Sequence, residues 1–176
     1  MKGLFTRPRL IGLGLAGVIF AVDQWLKWLM IGPLQLRQLG NIHVLPFFDL
    51  TWVENYGVSL GMLTARSMEM RWGLVALTAA IALIVAIWMM REKLLGEILG
   101  LSLILGGASG NIVDRVRFGY VVDYADFHIG DFRPFLVFNL ADAAITIGVV
   151  IILARSFLIS EKPKGESAGQ APATEN

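Results

Sequence analysis

Apolar residues run along this chain in four long blocks, at 10–30, 72–90, 94–113 and 134–154, and polar residues gather in the gaps between them. Each block reaches the roughly 20 residues that an α-helix needs to cross the hydrocarbon core of a bilayer. The second carries no charge, whereas the first holds Asp23, Gln24 and Lys27, the third Glu97, Ser109 and Asn111, and the fourth Asn139 and Asp142. Only Arg91, Glu92 and Lys93 separate the second block from the third, so those two are expected to form a tight helical hairpin. The gap after the first block contains short β-prone runs at 42–45, 47–53 and 58–62, punctuated by Pro46, Asn55 and Gly57, which predict a small sheet at the membrane surface. After Ser160 the chain turns to Glu, Lys, Pro, Gly, Ser and Ala, the composition of a disordered tail over 161–176. The expected fold is an all-α polytopic membrane protein: one four-helix domain over 1–160 with a β-cradle at about 42–62.

Composition agrees with a lipid solvent. Of the 176 residues 56% are hydrophobic and only 16% charged, with a mean hydropathy of +0.65. A soluble chain of this size has too much surface to hide that apolar content. The net charge of +1 gives no field to recruit nucleic acid. The absence of cysteine excludes a thiolate metal site and a cysteine nucleophile. His43 and His128 are too few for a zinc site by themselves, although carboxylates could supplement them. Lys2, Arg7 and Arg9 ahead of thirteen apolar residues also describe a secretory signal peptide, but no small-x-small cleavage site follows before Asp23. With both termini cytoplasmic, eight Lys and Arg (Lys2, Arg7, Arg9, Arg91, Lys93, Arg155, Lys162, Lys164) lie inside and six (Arg37, Arg66, Arg71, Arg115, Arg117, Arg133) outside. That is the orientation the positive-inside rule favours.

A carboxylate inside a span costs at least ~2.5–3.5 kcal/mol and so calls for a reason. Asp142 is the clearest case, with Asn139 three positions earlier on the same helical face. The acid that could join it lies in GYVVDYADF, nineteen positions back at Asp123 or slightly nearer at Asp126, and spacing does not choose between them. Two carboxyls close together cannot both ionise, so one keeps a proton while the other activates water. A Ser–Lys protease built from Ser59 or Ser109 with Lys27 is the alternative nucleophilic chemistry. Asp23 and Lys27 form an i, i+4 pair, which near a helix end would equally well snorkel as a purely structural pair. Gly106, Gly107 and Gly110 allow close backbone approach just before Asn111, Asp114 and Arg115.

Taken in order, DQWLK (23–27), ENYGVSLG (54–61), GGASGNIVDRVRFGYVVDY (106–124) and FNLADAAITIG (138–148) resemble the lipoprotein signal peptidases, or type II signal peptidases, of bacterial inner membranes. The resemblance covers nearly the whole chain. It implies an intramembrane aspartic endopeptidase that removes the signal peptide from diacylglyceryl-modified prolipoproteins just before the lipidated cysteine. It assigns the catalytic pair to Asp123 and Asp142 and supporting roles to Asp23, Lys27, Asn55, Gly57, Asn111, Asp114, Arg115, Asn139 and Ala141. It implies no metal or organic cofactor, and it leaves Asp126 without a role. Arg115 and Asn111 are expected to hydrogen-bond the substrate backbone, Asn139 to orient Asp142, and Asn55 to help present the substrate. Leu60 and Tyr124 stand where Phe is common in that family, which bears on substrate fit. The expected partners are the prolipoprotein and membrane lipid, acting on a monomer. The competing class is a non-enzymatic four-helix protein, such as a transporter subunit with Asp142 as a proton site.

Overall fold

The computed structural model describes residues 6–57 and 67–159. Helix α1 (Arg7–Ile31) begins at a proline-bearing first turn, where the missing N–H costs nothing. A single helical turn, α2 (Leu36–Leu39), leads into strands β1 (Asn41–Leu45) and β2 (Phe48–Asn55). Helix α3 (Met68–Arg91) is capped by Ser67, whose hydroxyl accepts the Met70 N–H at 3.2 Å. It turns directly into α4 (Leu95–Arg117), with the Glu92 carboxylate accepting the N–H groups of Lys93 and Leu94 at the corner. Strand β3 (Val121–Phe127) and helix α5 (Leu140–Ile159) follow. The four long helices are those expected, and all are apolar enough to span a membrane.

Two expectations shift. The expected run at 58–62 lies outside the described residues, as does the expected tail at 161–176. Among the described residues the third strand of the antiparallel sheet, ordered β1-β2-β3, is Val121–Phe127. The last helix starts at Leu140 rather than 134, because the chain before it is used for strand-like pairing: Phe138 bridges Ala125 of β3. The consequence is functional, since the sheet now carries Asp123 directly to the head of α5.

Helix α4 is the hub, packed against α1, α3 and α5. Its glycines are what let it be. A Cβ on Gly106 would come within 2.6 Å of Ala16 O, and one on Gly107 would collide with Ala141 O. Without a hydrophobic drive between helices in lipid, such close backbone contact is the main source of packing energy. The outward faces, including Leu83, Ile84 and Val150, stay exposed for lipid. Trp25, Trp28 and Trp72 are exposed toward the end that carries the sheet, where indoles favour the membrane interface.

Replacing Gly107 by Ala should therefore lower stability by about 1–3 kcal/mol through overpacking. Gly14→Ala, where a Cβ meets nothing within 4 Å, should be neutral or slightly stabilising. Thermal unfolding of both variants in one detergent measures the contrast.

Candidate active site

Asp123 lies in β3 opposite Val53, and Asp142 lies in the first turn of α5. The nineteen-residue separation is closed by backbone pairing. Phe138 O accepts the N–H groups of Tyr124 (3.1 Å) and Ala125 (2.7 Å), and Phe138 N–H donates to Ala125 O (3.1 Å). The very next residue, Asn139, then starts α5 with a reciprocal cap. Its Oδ1 accepts the Asp142 N–H at 2.9 Å, while Asp142 Oδ2 accepts the Asn139 N–H at 3.2 Å. The Asn139 amide also donates to Asp123 Oδ1 at 2.7 Å. One asparagine thus touches both aspartates, orienting Asp142 through the helix cap rather than across a helical face.

The remaining carboxylate oxygens are also occupied. Asn111 Nδ2 donates to Asp142 Oδ1 at 2.8 Å, and Asn55 Nδ2 donates to Asp123 Oδ2 at 3.0 Å. Asn55 Oδ1 accepts the Gly57 N–H, and Gly57 O accepts Arg115 Nη2 at 2.7 Å. Arg115 Nε is buried with no hydrogen-bond partner among the described residues. Burial, followed by the charge of Asp142, pushes the Asp123 carboxyl up from 3.8 to about 7. Such an acid contributes stability in full below the ordinary value and loses it as pH rises through about 7.

Beneath the pair lies a buried ionic cluster. Lys27 Nζ is 2.8 Å from both Asp23 and Asp114 and 3.1 Å from Asn111 Oδ1, and all three charged side chains are essentially inaccessible. Asp23 and Lys27 do not snorkel, for they sit in the interior at the α1–α4 contact. Asp23 Oδ1 accepts the Ala141 N–H at 3.1 Å, and Asp114 Oδ2 accepts the Val122 N–H at 3.2 Å. Each acid of the cluster therefore grips the residue just before one aspartate of the pair. Gly110 packs so closely on Asp23 that a side chain there would displace its carboxylate.

The structure gathers every sequence-predicted site residue into this region. It also shows what several of them touch. The Asn111 side chain bonds Lys27, Asn139 and Asp142 and so braces the pair. Tyr124 is buried with Met30 and Leu36, and its hydroxyl accepts the Leu140 N–H at 3.3 Å. It steadies the start of α5. Leu60 lies outside the described residues. Asp126 is buried and accepts Arg133 Nε at 3.2 Å on both oxygens and Thr51 Oγ1 at 3.0 Å. It ties down the segment that lines the cleft. Gln24 was missed, although it stands inside DQWLK: its acceptors, Gly110 O and Asp114 Oδ1, are 86 and 90 positions away, with no local signal.

The pair opens on a cleft of about 530 Å³ that Asn55, Arg133, Phe135 and Leu136 also line. Asp142 further borders an apolar pocket of about 380 Å³ walled by Phe135, Leu136, Phe138, Ala143 and Ile147. On its other side lies a space of about 260 Å³ reached by Asn111 and Arg115. Asp142 thus borders all three spaces.

Comparison with known proteins agrees with this architecture. The family model described as signal peptidase (SPase) II matches residues 15–158. A lipoprotein signal peptidase of Sphingopyxis alaskensis is 56% identical over 162 residues, covering 92% of this chain and 91% of that protein. One from Rhizorhabdus wittichii is 55% identical over 153 residues, covering 87% and 89%. A bacterial membrane enzyme solved by the in meso method at 2.3 Å resolution superposes with a TM-score of 0.76 at 25% identity, covering 90% of this chain and 94% of that one.

Removing the shared cation should be severe. Lys27→Met strands two buried carboxylates, and breaking a buried ion pair costs about 3–5 kcal/mol. The exposed Lys93→Met should change little. Thermal unfolding in detergent measures both, and equal melting temperatures would remove Lys27 from the scaffold.

Proposed function

The chain belongs to the signal peptidase II family, and from that premise we propose that Asp123 and Asp142 make it an aspartic endopeptidase. It removes signal peptides from prolipoproteins. With four apolar helices, it is a multi-pass protein of the bacterial inner membrane. The observation that carries the aspartic reading is the shared asparagine: Asn139 bonds both carboxyls, and each has a further amide donor of its own. The raised Asp123 carboxyl keeps one proton in the pair near neutral pH. Asp142, whose oxygens accept the Asn139 N–H at the start of α5 and the Asn111 amide of α4, acts as the carboxylate that takes a proton from water. The water oxygen attacks the scissile carbonyl, the Asp123 proton polarises the carbonyl oxygen, and that proton bond stabilises the tetrahedral intermediate. Collapse breaks the C–N bond, with the proton gained by Asp142 passing to the leaving amine.

The substrate reading extends to its lipid. The apolar pocket beside Asp142 suits acyl chains that remain in the bilayer, each buried CH₂ contributing about 0.8 kcal/mol. The diacylglyceryl group on the cysteine would then fix which peptide bond reaches the pair. Arg115, whose Nε has no hydrogen-bond partner among the described residues, holds the Gly57 carbonyl and borders the space proposed for the peptide. The unit is residues 1–160 of one chain, a monomer, with both termini cytoplasmic and the pair near the periplasmic surface. A transporter subunit using Asp142 as an isolated proton site is not favoured, because Asp142 is not isolated.

Purified protein with a lipidated precursor peptide tests this reading. Asp123→Asn and Asp142→Asn should each abolish cleavage while leaving the protein folded, and Asp131→Asn should keep most activity. Wild-type activity should fall as pH rises through about 7, where the pair loses its proton. A precursor without the diacylglyceryl group should be cut far more slowly. Retained activity in either dyad variant would contradict the assignment.

A further inference from the structure

Three side chains on the polar face of the sheet converge away from the dyad. His43 on β1 is the cross-strand partner of Asp49 on β2, with Nδ1 2.7 Å from Asp49 Oδ1. His128, just past β3, places Nε2 3.4 Å from the other oxygen, Oδ2. The ligand atoms of all three lie within 4.8 Å of one another. His128 Nε2 is buried and makes no hydrogen bond among the described residues, an unusual state for an imidazole nitrogen aimed at a carboxylate. No Lys or Arg pairs with Asp49 among the described residues: its partners are the two imidazoles and the Asn41 amide.

From this geometry we propose that His43, Asp49 and His128 form a binding site for a divalent transition cation of the Zn²⁺ class. Imidazole and carboxylate are ligands that such a cation accepts, at about 2.0–2.2 Å. Tetrahedral ligands at that distance stand roughly 3.4 Å apart. The His128–Asp49 separation is already of that size. His43 sits too close to one oxygen, but its side chain is 66% exposed and free to rotate into place. The fourth position faces solvent and takes a water. The support around the triad is in place: Asn41 Nδ2 donates to Asp49 Oδ2 at 3.3 Å and to Thr51 Oγ1 at 2.8 Å, and the backbone N–H of His128 donates to Phe47 O at 3.1 Å. A bound cation neutralises Asp49 beside its cross-strand neighbour Asp126, whose own charge is met by Arg133. It also clamps the edge strand β1 to the segment that runs from His128 to the cleft residue Arg133.

The test uses full-length, untagged, chelator-stripped protein in detergent. Titration with Zn²⁺ by calorimetry should show one equivalent bound and a raised melting temperature. Co²⁺ should give the visible absorption of a tetrahedral site. His128→Ala, and independently the exposed His43→Ala, should weaken binding by at least the roughly 10–100-fold that loss of a supporting partner costs. Metal-free cleavage by both variants should stay at the wild-type rate, which shows that they are folded. Binding well below one equivalent, or equal affinity in wild type and both variants, would overturn the site and leave a hydrogen-bonded His–Asp–His cluster.

Discussion

Lys27 Nζ lies 2.8 Å from carboxylates on two different helices, Asp23 of α1 and Asp114 of α4, with almost no access to solvent. Charges so placed cost several kcal/mol each to bury, and the cost is met only when every oxygen and proton finds a partner. That requirement reaches outward. Asp23 and Asp114 complete their shells with the N–H groups of Ala141 and Val122, the residues immediately before Asp142 and Asp123. One buried cluster therefore links helices α1 and α4 to both backbone segments that carry Asp123 and Asp142. The close glycine contacts of α4 serve it too, since Gly110 leaves the room that the Asp23 carboxylate occupies.

Above this cluster, the two aspartates sit in two different environments. Asp123 arrives on a strand that is buried along most of its length, and burial holds its proton to about 7. Asp142 arrives at the head of a helix, among N–H donors that suit a carboxylate. Asn139 links the two and fixes their relation through both its backbone and its side chain.

Much of this was legible in the residues themselves. Four blocks of spanning length, charges placed inside them and strand-prone runs between them predicted the bundle and the sheet. The motif resemblance then separated Asp123 from Asp126, which spacing could not do. What stayed hidden was non-local pairing. The fourth block read as helix from 134, yet Phe138 pairs with Ala125, and only that bridge brings Asp123 to Asn139. Gln24 finds Gly110 and Asp114 across the fold, where periodicity carries no information. Lys27 and Asp23 looked able to snorkel because helical spacing reveals a pair but not the second carboxylate, Asp114, that draws it inward.

If Asp123 and Asp142 form the catalytic pair, they share one proton in a setting built by the Lys27 cluster. Infrared difference spectroscopy of the purified protein reads that proton directly, through the C=O stretch of a protonated carboxyl. A band present at pH 6 should fade as pH rises through about 7, and should be absent or shifted in Asp123→Asn and Asp142→Asn alike. A band that titrates identically in wild type and in both variants would belong to other acids, and would contradict a shared proton at this pair.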